Sequence, residues 1–345
     1  MASRVSEVVE RLRRVLAGLL VAFLILGMAA LWLLSPEARR NARFAPEDCR
    51  RVALADPRTG VAIVGIEDLA LAPNGDTLIL SAHDRRNSAR PDGGLYAINL
   101  STIWVEPVPV LRLDAPRGEG EVFRPHGIAL DEDTGELAVV NRTAKAVARV
   151  EVGPIGPTGW QPRWVIESER LCRANDLAFR PDGLFVTLDR ADCSPSFRDL
   201  NPWSRTGAVA QLTPDAVIFT DDGLSFPNGI SDDAIAETRA KAIRVSGGAR
   251  IEVPGGPDNL TRDDEGALIV AVHPALVRLF LMREGYFERA GSRVLRVQGR
   301  AMPELLFDDP GGQLISAATV GLLTDGRLLI GSATDPGLLV CEGGE

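Results

Sequence analysis

A unit about fifty residues long recurs along this sequence, and few folds accommodate it. Each copy begins with a polar residue or pair, runs into a short apolar segment, turns on Asp or Asn ahead of Gly, and continues into a second apolar segment. The first copy reads Glu67-Asp68, Leu69-Ala70-Leu71, Pro73-Asn74-Gly75 and Thr77-Leu78-Ile79-Leu80. Later copies turn at Asp131-Glu132-Asp133-Thr134-Gly135, Arg180-Pro181-Asp182-Gly183, Asp263-Asp264-Glu265-Gly266 and Thr324-Asp325-Gly326. Such residues let the backbone enter φ > 0, which a tight hairpin requires. Copies start near Glu67, His126, Asn175, Asn228, Asp258 and Thr319, with one short interval between Asn228 and Asp258. A period of this size in a sequence of strands predicts an all-β fold, a six-bladed β-propeller with four strands per blade. A β-sandwich leaves the polar residues at each repeat start unexplained. The short interval predicts one blade trimmed at its outer strands, with residues 232–242 irregular or locally helical.

Residues 15–34 form an almost unbroken apolar run behind Arg11, Arg13 and Arg14, long enough to cross a bilayer as a helix. Met28-Ala29-Ala30 is a poor cleavage site, because Leu31-Trp32-Leu33-Leu34 carries the run past it. The expectation is a cytoplasmic tail and signal anchor over 1–34, a linker over 35–48, and a propeller over 49–345. The helix makes the membrane a partner and places the propeller outside the cytoplasm; a cleaved signal would make the protein secreted.

Four cysteines bear on the compartment: Cys49, Cys172, Cys193 and Cys341. No CxxC or Cys/His cluster points to zinc. Cys49 and Cys341 either bridge the two chain ends, which requires an oxidising compartment, or remain buried thiols. Cys172 and Cys193 are a second pair or core. In a propeller the first and last strands share a blade, so a Cys49–Cys341 bridge would clamp the ring. The net charge of −9 argues against a nucleic-acid partner, which would need a basic face.

In a propeller the innermost strands run along a central channel. The repeat starts therefore gather near one mouth of it, and they offer Glu67, Asp68, His126, Asn175, Asp176, Asn228, Asp258, Asn259 and Thr319. Strand alternation sends neighbours such as Asn175 and Asp176 to opposite sides. The set is rich in hard oxygen donors and has no thiolate, so calcium suits it better than zinc. There is no G-x-S-x-G elbow, no H-E-x-x-H, no P-loop and no G-x-G-x-x-G after a strand. Of three histidines, His126 begins a repeat, His273 follows a strand, and His83 reads as structural or peripheral.

At residue level the chain resembles the paraoxonase group of arylesterases and lactonases, six-bladed calcium propellers. The resemblance runs from Cys49 to Cys341. It is carried by Ile66-Glu67-Asp68-Leu69, Pro125-His126-Gly127-Ile128, Ala138-Val139-Val140-Asn141, Asn175-Asp176, Phe226-Pro227-Asn228-Gly229-Ile230, Asp258-Asn259-Leu260, His273-Pro274 and Leu328-Leu329-Ile330-Gly331. It implies two calcium ions per chain. One, catalytic, would be held by Glu67, Asn175, Asn228, Asp258 and Asn259. The other, structural, would use Asp68, Asp176 and the backbone carbonyl of Ile128. It implies a Cys49–Cys341 bridge, His126 as general base, His273 and Asp189 as further residues of the pocket, and Thr319 at its wall. The substrate is then a small ester or lactone. One position departs from the family: Arg142 stands where its second histidine falls, and an arginine cannot shuttle a proton. Close to His126 it would lower the imidazole pKa by like charge. Two rival readings are a non-catalytic, calcium-stiffened binding propeller and a single-metal lactonase of the gluconolactonase kind.

Overall fold

The computed structural model describes residues 15–16, 18–24, 27–28, 35–86, 92–118, 120–143, 148–193, 201, 204–299 and 301–343. Six antiparallel sheets follow one another along the chain, each a meander whose first strand lies innermost. The inner strands are Ile66–Leu71, Pro125–Leu130, Ala174–Arg180, Pro227–Ile230, Gly256–Arg262 and Ala318–Thr324. This is the six-bladed propeller that the repeat predicts. Six apolar clusters fill the six gaps between neighbouring blades. Each sheet is thus covered on both faces, so a strand such as Leu268–His273 is buried throughout and reads as a continuous apolar run rather than an alternating one.

The sixth blade is built from both chain ends. Cys49–Val52 pairs antiparallel with Leu338–Cys341, in a register that sets Cys49 opposite Cys341. The two are disulfide-bonded, as are Cys172 and Cys193. The terminal bridge spans 292 residues of sequence, and a cross-link mainly restricts the unfolded chain. Replacing both Cys49 and Cys341 with Ser is expected to lower unfolding free energy by about 2–4 kcal/mol. Denaturant unfolding of the full chain measures this, and an unchanged midpoint would show that the strand ladder alone closes the ring.

Three expectations need correction. The fourth blade is not trimmed: Pro227–Ile230, Ala234–Glu237, Ala242–Val245 and Arg250–Glu252 make a complete sheet of short strands. Residues 232–242 hold a strand and its turn, not a helix. The segment expected as a linker is docked. Arg43 and Phe44 donate their N–H groups to Leu305 and Leu306 of the fifth blade, and Phe44 is buried in its core. The run 15–34 lies partly outside the described residues. Its described part is helical with exposed apolar side chains. Among the described residues no helix is long and apolar enough to cross a membrane.

Candidate calcium and substrate site

All six inner strands carry a register shift at their first residues. A bulge of this kind releases side chains from strict alternation and re-aims them. Asn175 and Asp176 are both buried and take different partners: Asn175 donates to Asp189, whereas Asp176 accepts from Leu177 and Ile230. The first residue of each start lines one cavity: Glu67, His126, Asn175, Asn228, Asp258 and Thr319. Their successors, Asp68, Gly127, Asp176, Gly229, Asn259 and Val320, do not line it.

The two glycines make room for their larger neighbours. A Cβ on Gly127 would lie 2.5 Å from the Asn175 carbonyl oxygen and from Asp176 Oδ1; one on Gly229 would lie 2.6 Å from the Asp258 carbonyl oxygen. Gly127→Ala is expected to cost about 1–3 kcal/mol through overpacking against backbone that cannot step aside. A thermal melt checks it, and an unchanged midpoint would mean that the axis has slack.

Hydrogen bonds dictate how the amides point. Asn175 Nδ2 donates to Asp189 Oδ1 at 2.6 Å, and Asn259 Nδ2 donates to the Glu67 carbonyl at 2.7 Å. Both partners only accept, so each amide nitrogen must face its partner and each amide oxygen must turn away. Asp189 thus orients Asn175. Asn175 Oδ1, Asn228 Oδ1, Asp258 Oδ1 and Asn259 Oδ1 are all buried without a hydrogen-bond partner, while Glu67 Oε2 is ion-paired with the Arg85 guanidinium at 2.8 Å. An orphaned buried oxygen costs about 1–3 kcal/mol, so four in one region, beside the Glu67 carboxylate, call for a cation. Two carboxylates and three amides supply hard donors and a charge of −2, which fits calcium. Among the described residues no three His, Cys, Asp or Glu side chains gather as a transition-metal site would need.

Asp68 and Asp176 present a different environment. Asp68 accepts from the N–H groups of Leu69 and Ile128 at 2.9 and 2.8 Å. Asp176 accepts from those of Leu177 and Ile230 at 2.8 and 2.9 Å. Each carboxylate therefore staples its own blade to the next. It is the Ile128 amide N–H that meets Asp68. Burial, then the charge of Asp176, drives the Asp68 carboxyl well above its ordinary range. Burial raises Asp176 to about 7 against its backbone hydrogen bonds, and it lies within hydrogen-bond reach of Asp68. Two buried carboxylates this close share a proton unless a cation joins them.

His126 is 3% exposed. Its Nδ1 lies 3.3 Å from Glu67 Oε1 and contacts the Arg85 guanidinium. Its pKa falls well below the ordinary value through burial, then through the charges of Arg142, Arg85 and Arg283. Arg142 is held by the Ala174 carbonyl at 2.8 Å and by Asp189 at 3.5 Å. Burial lowers its own pKa to about 10, with Arg85 and Arg283 adding to the fall. His273 Nε2 lies 2.6 Å from Asp258 Oδ2, while its Nδ1 is buried without a partner. His83 lies outside this cavity, with burial lowering its pKa to about 4.

Repeat reasoning missed the rest of the lining. The cavity, about 240 Å³, is also walled by Arg85, Arg86 and Arg283 and by Phe226, Leu279 and Met282. Arg85 and Arg86 follow the strand Thr77–Ala82; Leu279, Met282 and Arg283 belong to the helix Leu276–Arg283. Neither element shares the blade period. The helix does carry apolar residues three apart, Leu276, Leu279 and Met282, a weak but readable signal. Phe226 holds a φ of 58°, an uncommon value for an aromatic residue, directly before Pro227 and Asn228.

No protein-family model and no curated protein sequence matches the chain. Solved structures do. A protein assigned as a gluconolactonase is 16% identical over 90% of this chain and 94% of its own, with a TM-score of 0.50. A calcium-binding protein, regucalcin from Agrobacterium tumefaciens C58, is 15% identical over 87% of this chain and 94% of its own, also at 0.50. These likenesses show a shared fold.

Proposed function

We propose that the chain is a calcium-dependent hydrolase of carboxylic esters or lactones, of the arylesterase and lactonase kind. The observation that carries this is the set of orphaned oxygens on Asn175, Asn228, Asp258 and Asn259, the first three of which line, together with Glu67, a cavity that also holds His126 and His273. Calcium bound there supplies a Lewis acid for the substrate carbonyl and its oxyanion. The residues do the rest. Asp258 Oδ2 holds His273 Nε2 at 2.6 Å, which would leave Oδ1 as the oxygen to hold the ion. Glu67 would help to hold the ion, and its Oε1, 3.3 Å from His126 Nδ1, would accept the N–H of that ring. His126 Nε2 then takes the proton of the attacking water. Arg142, fixed on Asp189 and Ala174, keeps that imidazole neutral rather than relaying its proton.

A panel of lactones and aryl esters tests this, with and without chelator. Hydrolysis that stops on chelation and returns with calcium is expected; turnover in excess chelator sinks the proposal. Because a base must be neutral to act, a lowered His126 pKa preserves activity into mild acid. At saturating calcium kcat/KM should fall only below pH 6.5, the ordinary histidine value. An acid limb centred above that value would exclude His126 as the base. Two disulfides support an oxidising, extracytoplasmic compartment, with residues 1–34 as the proposed membrane anchor.

A second reading, a single-metal lactonase of the gluconolactonase kind, is favoured by one observation. All four carboxylate oxygens of Asp68 and Asp176 already accept backbone N–H groups, so that pair stands without a cation if it keeps a shared proton. Metal analysis of the purified protein separates the two readings: two calcium ions per chain support the first, one the second.

A further inference from the structure

The charges on the cavity wall do not balance once calcium is counted. Four arginines line it, Arg85, Arg86, Arg142 and Arg283, against three carboxylates, Glu67, Asp189 and Asp258. Asp189 answers Arg142 at 3.5 Å. Glu67 and Asp258 are both needed to neutralise a dication. Arg85, whose ion pair is with Glu67 at 2.8 Å, then has no carboxylate of its own. Among the described residues the Arg86 guanidinium holds only a neutral carbonyl, that of Glu288, at 3.1 Å. Arg283 makes no ion pair among the described residues. Three guanidinium groups therefore face one small cavity, whose apolar lining includes Phe226, Leu279 and Met282. A protein with a net charge of −9 has kept this cationic wall around its candidate site.

Resting on the hydrolase reading, we infer that the substrate carries an anionic group, a carboxylate or a phosphate monoester, held by Arg86 and Arg283 while its ester or lactone carbonyl faces the calcium ligands. Arginine suits this, since its planar fork meets both anions with paired hydrogen bonds. The cavity of about 240 Å³ falls below the usual range for drug-sized ligands, so the substrate is small. An aromatic or short aliphatic body would rest on Phe226 and Leu279.

The test uses full-chain protein at saturating calcium and matched esters: neutral phenyl acetate, anionic 4-acetoxybenzoate, and 4-acetoxyphenyl phosphate. The expected kcat/KM for at least one anionic ester exceeds that for phenyl acetate by about tenfold or more. Which anion gains more tells carboxylate from phosphate. The preference should shrink in about 0.5 M salt and fall about tenfold in Arg283→Gln and in Arg86→Gln, two exposed positions where folding is not at risk. A preference at or below unity, or one indifferent to salt and to both substitutions, overturns the inference. If no ester of either charge is hydrolysed, the hydrolase reading fails alone and calorimetry decides the anion site. 4-Hydroxybenzoate or phenyl phosphate binding about tenfold tighter than phenol, and weakened by Arg283→Gln, upholds it; equal binding of anion and phenol overturns it.

Discussion

Asn228→Ala is expected to lower hydrolysis by about two to three orders of magnitude and to weaken calcium binding by about a hundredfold or more, while leaving the calcium-free protein as stable as before or slightly more so. The opposite signs come from one atom. Asn228 Oδ1 is buried without a hydrogen-bond partner, a cost the stripped protein carries in full. Removing it relieves about 1–3 kcal/mol, offset by the small cavity left behind. In the loaded protein the same oxygen is a ligand, and its loss is pure loss. Asn228 suits the test better than Asn175, whose removal would also strand Asp189 Oδ1. Paired thermal melts with calcium and with chelator, together with calorimetric calcium titration, read both halves. If the variant is destabilised equally in both states, Asn228 is a packing residue and the proposed site is wrong.

The stripped protein should lose stability as pH rises from 5 to 8. The folded state holds its proton on Asp176 up to about 7, against 3.8 in the unfolded chain, and Asp68 is raised as well. A carboxyl raised in this way favours the folded state at low pH, and the advantage disappears as pH climbs through the folded value. The shift on Asp176 corresponds to roughly 4 kcal/mol across the full range. A cation between Asp68 and Asp176 would let both ionise and flatten the profile. Denaturant unfolding at several pH values therefore counts ions by a route independent of metal analysis. A flat profile with calcium and a steep one with chelator indicates two sites. Steep profiles in both indicate one. A flat profile in the stripped protein would show that the pair does not share a proton.

Polar residues opening apolar strands, in register across six repeats, were enough to bring Glu67, Asn175, Asn228 and Asp258 to one axis from sequence. They recur because the fold recurs, and the chemistry sits on the recurring part. What the sequence did not show lies off that period. The bulges at the strand starts depend on how neighbouring inner strands crowd the axis, which the repeat does not record. Strands of three or four residues, such as Arg250–Glu252, are too short for a period to register, and the fourth blade looked incomplete for that reason. Phe44 belongs to no repeat, yet fills the fifth blade's edge. The arginines of the cavity come from a loop and a two-turn helix that only the assembled ring brings together.

That ring has its seam in the sixth blade, where Cys49–Val52 completes a sheet begun at Ala318–Thr324. During synthesis the opening strand must wait, unpaired, for nearly three hundred residues before its partner emerges. Until then Thr319 is missing from the wall and the first blade lacks its neighbour. The Asn259 amide and the Glu67 carbonyl that accepts from it come from blades on either side of the seam. If calcium binds as proposed, closure of the ring is expected to precede its high-affinity binding.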